Sequence, residues 1–290
     1  MTHVATRTRR FRHVDVFTRE PLLGNGLAVV VDAEDLDDST MAAFARWTNQ
    51  AETTFLLPPT DPAADYRVRI FTPGTELPFA GHPTLGSAAV WMASGGQPKQ
   101  QGLVVQECGV GLVRVKQDGE QLAFAAPPLQ RSGPADDATR HELAASLRVP
   151  VEAFRAVEWV DNGPGWVAAL LEDAEAVLAV EPDFARMGSL DVGVVGPHTR
   201  GPFAGSPDGL PVFEVRAFAP ELGIGEDPVT GSLNAGLAQW LIGSGVAPDS
   251  YTAHQGTAIG RAGRVRVDRV GDDIWIGGAV TTVVSGTVDL

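Results

Sequence analysis

A short segment of this sequence occurs twice, and the repeat limits the folds that the chain can adopt. Residues 68–73 read Val-Arg-Ile-Phe-Thr-Pro, and residues 215–220, 147 positions later, read Val-Arg-Ala-Phe-Ala-Pro. After a two-residue length difference the offset becomes 145, half of the 290-residue chain, with the matches Glu76-Leu77 to Glu221-Leu222, Pro83 to Pro228, and Gly86-Ser87 to Gly231-Ser232. Nine identities in one order favour an internal duplication over chance.

Each copy of the repeat predicts a strand, a turn that contains proline, and a helix. His82 precedes Pro83 and Asp227 precedes Pro228, which is typical of an N-cap residue followed by proline at the first helical position. Asp227 is an expected N-cap residue, whereas His82 is a poorer one and is therefore a better candidate for a functional role. The two predicted helices, which are apolar and expected to be buried, cover residues 83–93 and 228–242.

The starts of these two helices predict where a ligand binds. The first turn of a helix leaves backbone N–H groups without partners at the positive end of the helix dipole, and carboxylates bind there. If two pseudo-symmetric halves face each other, the two helix starts converge on one small anionic ligand. The repeat therefore predicts an active site between the halves.

The rest of the chain predicts a mixed α+β pattern without a regular βαβ succession. Asp118-Gly119 predicts a hairpin turn. The predicted strands cover residues 12–17, 53–57, 66–71, 110–115, 121–125 and 166–171, with strand and turn from 264 to 288. The predicted helices cover 41–48 after an N-cap at Ser39, 137–147 and 174–180, and the predicted linker covers Pro127-Pro128 and the polar stretch 130–139.

Composition excludes several classes of protein. The net charge of −14 argues against a nucleic-acid-binding surface, and the basic residues Arg7, Arg9, Arg10 and Arg12 are expected to form a solvated tail. No apolar run is long enough for a membrane span, so we predict a cytoplasmic protein. The single cysteine, Cys108, excludes an internal disulfide and is expected to be structural.

The sequence lacks the motifs of most cofactor and metal enzymes. Lys99 and Lys116 both lie in polar surroundings, which disfavours a Schiff-base cofactor, and no Gly-x-Ser-x-Gly motif occurs. Gly109-Val110-Gly111 lacks the third glycine of a dinucleotide fingerprint. The six histidines are scattered without ligand spacing, so we predict neither a metal nor a cofactor.

Several motifs resemble those of the phenazine-biosynthesis PhzF-like isomerases, in one order from about residue 11 to the end. The most specific are Phe79-Ala80-Gly81-His82-Pro83-Thr84-Leu85-Gly86 and Gly225-Glu226-Asp227-Pro228-Val229-Thr230-Gly231-Ser232, supported by His13–Thr18, Gly24-Asn25, Ala51–Phe55 and Arg69–Pro73. The resemblance implies the diaminopimelate epimerase-like fold, with two pseudo-symmetric domains that are each a barrel-like sheet around a central helix. The implied domains cover residues 1–128, completed by the strand at about 280–290, and residues 129–279.

The resemblance implies that Glu52 is the general acid/base and that His82, Asp227 and Ser232 line the same cleft. One carboxyl group can take a proton from one carbon and return it to another, and partial burial would raise the pKa of Glu52 toward neutrality. Without the resemblance, Glu52 would be interpreted as an exposed loop residue. His82 and Asp227 either orient the substrate or relay the proton. The residues implied in substrate binding are Ser232, Gly81, Gly231, Thr230, Gly86 and Ser87.

The implied ligand is a small-molecule carboxylate, either a cyclohexadiene amino acid or an unsaturated proline-type precursor in natural-product biosynthesis. The resemblance also implies a homodimer. Gly26 stands where the family commonly has proline, which is expected to loosen a turn near the pocket. Two alternatives stay open: a racemase or epimerase that uses bases other than cysteine, and a catalytically silent small-molecule binder. A racemase with two thiols is excluded because Cys108 is the only thiol.

Overall fold

The structure is a computed structural model, and it describes residues 6–199, 212–220 and 224–290. These residues form two compact units, which we call unit 1 (residues up to Phe124, with Gly278–Leu290) and unit 2 (Ala125–Gly277). Within the described ranges no helix is both long and apolar enough to cross a membrane. Glu221 and Leu222, which the repeat matched to Glu76 and Leu77, lie outside the described residues.

The elements are numbered in chain order. The strands are β1 Thr8–Val16, β2 Asn25–Val30, β3 Glu52–Leu57, β4 Tyr66–Phe71, β5 Glu76–Leu77, β6 Leu103–Cys108, β7 Gly111–Asp118, β8 Gln121–Ala125, β9 Arg131–Pro134, β10 Ala156–Asp161, β11 Trp166–Leu170, β12 Asp191–Pro197, β13 Val212–Ala219, β14 Ile224–Asp227, β15 Ser250–Gln255, β16 Gly263–Val270 and β17 Asp273–Asp289. The helices are α1 Asp38–Thr48, α2 Gly81–Ala93, α3 Asp137–Leu147, α4 Ala174–Leu178, α5 Phe184–Met187 and α6 Gly231–Gly243.

Unit 1 is a curved mixed sheet around one helix. In the order of their pairing its strands are β17, β1, β2, β3, β4, β6, β7 and β8, with β5 beside β4. The β2–β3 and β4–β6 pairs are parallel, and the others are antiparallel. Helix α2 contacts β1, β2, β3, β4, β6 and β7, so it fills the centre of the sheet. Its first ten residues are almost all buried, which explains why the helix is apolar on every side.

Unit 2 repeats the same arrangement. Its strand order is β9, β10, β11, β12, β13, β15, β16 and the first residues of β17, with β14 beside β13. The parallel pairs are β11–β12 and β13–β15, which correspond to the two parallel pairs of unit 1. Helix α6 contacts β10, β11 and β16 and is the counterpart of α2. The predicted fold class, α+β with two pseudo-symmetric barrel-like domains, is therefore confirmed.

Strand pairing corrects the register of the duplication. β4 and β13 do correspond at an offset of 147, because Arg69 and Arg216 each lie 5.1 Å above a phenylalanine ring two residues later. In unit 1, Phe71 lies opposite Glu76, and in unit 2, Phe218 lies opposite Glu226. Glu226 stands 150 positions after Glu76, so three extra residues separate β13 from β14. The sequence matches at an offset of 145 do not mark equivalent positions.

The two predicted N-caps were wrong. The Thr84 N–H donates to the Ala80 carbonyl and the Asn234 N–H donates to the Thr230 carbonyl, both over 3.1 Å. Ala80 and Thr230 are therefore the N-caps of α2 and α6, and they stand 150 positions apart. His82 is consequently the second residue of α2, while Asp227 ends β14 before the helix begins.

Helix α1 and the N-terminal arginines also differ from the prediction. The N-cap of α1 is Asp37, whose carboxylate accepts the Thr40 N–H, and Ser39 lies within the helix. Of the predicted basic tail, residues 8–16 form β1, because their backbone pairs with both β2 and β17. Arg9 is buried there, and Arg10 forms a bidentate ion pair with Asp32.

Two further expectations were wrong. Of the predicted linker, Pro127-Pro128 do lie between strands, but residues 130–139 contain β9 and the start of α3. Gly26 lies in strand β2 opposite Asp15 rather than in a turn. In contrast, the predicted hairpin is confirmed, since β7 and β8 pair as far as Asp118 and Gln121, and Gly119 in the turn has a φ of 58°.

Candidate functional site

Glu52 lies beside His82 at the start of α2. Glu52 is the first residue of β3, and its side chain is 14% exposed. Its Oε2 atom lies 3.2 Å from Nε2 of His82, whose side chain is 6% exposed. The distance is that of a hydrogen bond, although this contact does not meet the angular criteria of one. A carboxylate and an imidazole thus lie in contact away from solvent.

The other ring nitrogen of His82 faces Asn25. The Asn25 amide nitrogen lies 3.4 Å from Nδ1, and both side chains are buried. When Nδ1 accepts this hydrogen bond, the ring proton is on Nε2, the atom that faces Glu52. Burial lowers the pKa of His82 to about 3. The imidazole is therefore neutral near pH 7 and can donate toward the carboxylate without carrying a charge.

His82 should make folding stability depend on pH. The pKa of His82 is lower in the folded protein than in the unfolded chain, where it is about 6.5, so protonation favours unfolding. The contribution of His82 to stability is therefore complete above about pH 6.5 and is lost as the pH falls toward 3. We expect His82→Gln to remove about 2 kcal/mol of the stability difference between pH 7 and pH 5. Urea unfolding at the two pH values measures it. The control is His141→Gln on the exposed face of α3, and an equal pH dependence in wild type and His82→Gln would contradict the prediction.

In unit 2, Asp227 is held beside the start of α6 by a network of hydrogen bonds. The Thr230 hydroxyl donates to the Asp227 carboxylate over 2.6 Å. Gln255 donates to the Asp227 carbonyl and to the Thr230 hydroxyl, and its own side-chain oxygen accepts the Thr230 N–H. The sequence suggested a helix cap for Asp227. The structure instead fixes this carboxylate next to the helix N-terminus through Thr230 and Gln255.

Ser232 lies in the first turn of α6 and does not cap its own helix. Its hydroxyl oxygen accepts a hydrogen bond of 3.0 Å from the Trp166 indole, and its carbonyl accepts one of 2.9 Å from Asn162. The Ser232 hydroxyl proton can therefore be donated to another group. Ser232 is the second residue of α6, as His82 is the second residue of α2. The two units therefore place different polar groups at equivalent positions.

The remaining predicted residues divide into two groups. Gly81 and Gly231 are the first residues of α2 and α6, and neither helix start has a side-chain cap, so their backbone N–H groups suit an anion. Gly86 and Ser87 lie one turn further along α2, where Gly86 packs against β1 and β2. Ser87 is fully buried and donates to Thr54 over 2.9 Å. The structure places Gly86 and Ser87 in the packing between helix and sheet.

Sequence reasoning missed a second carboxylate, Asp191. Asp191 is the first residue of β12, as Glu52 is the first residue of β3. It pairs with Trp166 on the neighbouring strand, just as Glu52 pairs with Leu27. Unit 2 therefore has a buried carboxylate at the position that Glu52 occupies in unit 1. The 139 residues between Asp191 and Glu52 match neither offset of the sequence repeat, so only strand pairing reveals the relation.

Two other features of the molecule do not add to the candidate site. A cavity of about 520 Å³ in unit 2 is lined by Val180, Phe184, Arg216, Glu226 and Ile259 among others, and it contains none of the predicted site residues. Two of its charged lining residues, Arg216 and Glu226, form an ion pair with each other over 2.8 Å. Burial raises the pKa of Cys108, which disfavours a reactive thiolate there.

Comparisons with known proteins agree with this arrangement. A family model described as "Phenazine biosynthesis-like protein" (PhzC-PhzF) matches residues 14–286. Antisense-enhancing sequence 1 of Schizosaccharomyces pombe is 34% identical, covering 95% of this chain and 97% of that protein. Trans-2,3-dihydro-3-hydroxyanthranilate isomerase of Pseudomonas aeruginosa is also 34% identical, covering 88% of each. The crystal structure of a PhzF family protein from Enterococcus faecalis superposes with a TM-score of 0.80 at 25% identity, covering 98% of this chain and 100% of that one.

Proposed function

Because this chain belongs to the PhzC-PhzF family of phenazine biosynthesis-like proteins, we propose that it moves a proton and a double bond within a small unsaturated amino acid. The chain is an enzyme of the isomerase class with the epimerase-like fold. In the proposed reaction Glu52 is the general acid/base, and no cofactor takes part. The contact of 3.2 Å between Glu52 and the neutral His82 carries the proposal.

The proposed chemistry needs one group that both accepts and donates a proton. The Glu52 carboxylate removes a proton from one carbon of the substrate, and the electrons of that C–H bond shift the double bond. The carboxyl group so formed exchanges its proton with solvent and then protonates the carbon at the other end of the shifted system. His82, which is neutral, lies against the Glu52 carboxylate and does not compete for the transferred proton.

The helix starts suit the acidic group of such a substrate. Gly81 in α2 and Gly231 in α6 present backbone N–H groups at the positive end of a helix dipole. The Ser232 hydroxyl can add one donated hydrogen bond, and Asp227 can accept one from an amino group. A substrate that carries both a carboxylate and an amino group matches this set of donors and acceptors. Convergence of the two helix starts on one ligand stays a prediction, as do the homodimer and the cytoplasmic location.

The proposal is tested by isotope labelling. The probe is trans-2,3-dihydro-3-hydroxyanthranilate, the compound in the name of the Pseudomonas aeruginosa relative. Incubation in deuterated water, followed by NMR and mass spectrometry, should give a product with a shifted double bond. Its deuterium should lie at a carbon other than the one that lost the proton. Deuterium at one stereocentre, with inversion there, would instead identify a racemase.

A further inference from the structure

Three potential metal ligands meet on the strands of unit 2. His198 follows the end of β12, Glu214 lies on β13 and His254 lies on β15, and these strands are neighbours in the order β12, β13, β15. Glu214 pairs directly with His254, so their side chains share one face of the sheet. The His198 Nε2 and Glu214 Oε2 atoms are 3.0 Å apart. One ligand atom from each of the three residues lies within 4.8 Å of the other two.

This cluster is buried, and packing alone does not explain it. The side chains of His198 and Glu214 are 11% and 1% exposed, and His254 is 7% exposed. The Glu214 Oε1 atom is buried near Thr257 but takes no hydrogen bond of good geometry in the described part of the chain. Buried carboxylates are costly unless they are paired or coordinate a metal. The Glu214 carboxylate, which also feels the positive charge of Arg264, therefore has an oxygen that could act as a ligand for a bound cation.

The duplication shows what the fold itself requires at these positions. At the offset of 147 residues, Arg67 corresponds to Glu214 and Glu107 corresponds to His254, and Arg67 pairs with Glu107 as Glu214 pairs with His254. The Glu107 carboxylate accepts a hydrogen bond from the backbone N–H of Thr60 at the surface of unit 1. Unit 1 thus forms the same strands without a buried His-Glu-His cluster, so the cluster is a property of unit 2 alone.

We propose that His198, Glu214 and His254 bind one divalent first-row transition-metal ion, with Zn²⁺ as the representative. Two imidazoles and one carboxylate favour such ions, whereas Ca²⁺ and Mg²⁺ prefer sets of oxygen ligands. With bonds of about 2.1 Å, tetrahedral ligand atoms lie about 3.4 Å apart, and small side-chain rotations reach that spacing here. The ion joins three neighbouring strands and stabilises unit 2. None of the three ligands is among the proposed catalytic residues.

Arg264 modulates the proposed site. The positive charge of its guanidinium acts on both Glu214 and His254. It opposes a bound cation, so removal of this charge should tighten metal binding. Arg264→Gln is therefore expected to lower the Kd for Zn²⁺, a result that a purely structural His-Glu hydrogen bond would not give.

The test measures metal binding in the whole protein. Purified protein is stripped with a chelator, incubated with Zn²⁺ and desalted, and its metal content and melting temperature are measured. We expect one Zn²⁺ per chain and a melting temperature several degrees higher than that of the stripped protein. His198→Gln and His254→Gln should lose both effects. Glu107→Gln, the counterpart of the His254 position in unit 1, is the matched control and should retain both.

A second measurement does not depend on how well the variants fold. Co²⁺ titrated into stripped wild-type protein should give visible absorption bands of a site with nitrogen and oxygen ligands, and Zn²⁺ should displace them. No retained Zn²⁺ and no Co²⁺ bands in wild type would overturn the proposal. Equal Zn²⁺ retention in wild type and in a folded His254→Gln variant would overturn it as well.

Discussion

Glu52→Gln should lower the turnover of the proposed isomerisation by about 10²- to 10⁴-fold, the usual contribution of a general acid/base. Glutamine keeps the size of the side chain and its place at the start of β3, but it neither removes nor returns a proton. The measurement is the steady-state rate with trans-2,3-dihydro-3-hydroxyanthranilate, together with deuterium incorporation in deuterated water. Both should fall together in the variant.

The matched control for this variant is Glu120→Gln, the same chemical change in the exposed turn between β7 and β8. Its rate should equal that of the wild type. Because glutamine has nearly the same size and shape as glutamate, the circular dichroism spectrum of Glu52→Gln should also be unchanged. A folded Glu52→Gln enzyme that turns over at the wild-type rate would disprove the assigned role and leave the fold untouched.

Gly236→Ala should destabilise the protein by at least about 3 kcal/mol, the upper part of the range for overpacked sites. Gly236 lies in α6, where a Cβ atom would stand 2.2 Å from the carbonyl oxygen of Val160 on β10. A backbone atom of a paired strand cannot move aside as a side chain can. The helix would have to shift within its sheet, and urea unfolding would show the loss.

Two other glycines make this prediction specific. Gly86, the counterpart of Gly236 in α2, would place its Cβ atom 2.6 Å from the end of the Leu27 side chain. That side chain can move, so Gly86→Ala should cost about 1–2 kcal/mol. Gly243 ends α6 with nothing within 4 Å, and Gly243→Ala should stabilise by up to about 1 kcal/mol. Equal effects of the changes at Gly236 and Gly243 would refute the argument.

Much of the fold could be predicted from the sequence, because the local pattern of apolar residues largely decides whether a segment forms a strand or a helix. The segments 66–71 and 137–147 were predicted with their observed bounds. The register was not predictable in the same way. Proline and aspartate before α6 suggested a cap, yet the cap is Thr230, since three extra residues after β13 displace the helix start.

The functional residues, too, could be predicted from the sequence only in part. Glu52 and His82 were identified from motifs, and the structure places them in contact. His198, Glu214 and His254 were missed because ligand spacing along the chain has no meaning when each residue comes from a different strand of a sheet. The N-terminal arginines were misjudged as well, since pairing of β1 with the distant β17 cannot be inferred from composition.

The pairing of β1 with β17 has a consequence for the order in which the parts of the two units are synthesised. Unit 1 consists of two pieces of chain, and all of unit 2 is synthesised between them. The backbones of Arg7 and Leu290 exchange two hydrogen bonds, so a short connection could join them. A circular permutant with this connection and new ends after Phe124 would encode unit 2 and then unit 1 as uninterrupted segments, so that the two pieces of unit 1 would be synthesised one directly after the other.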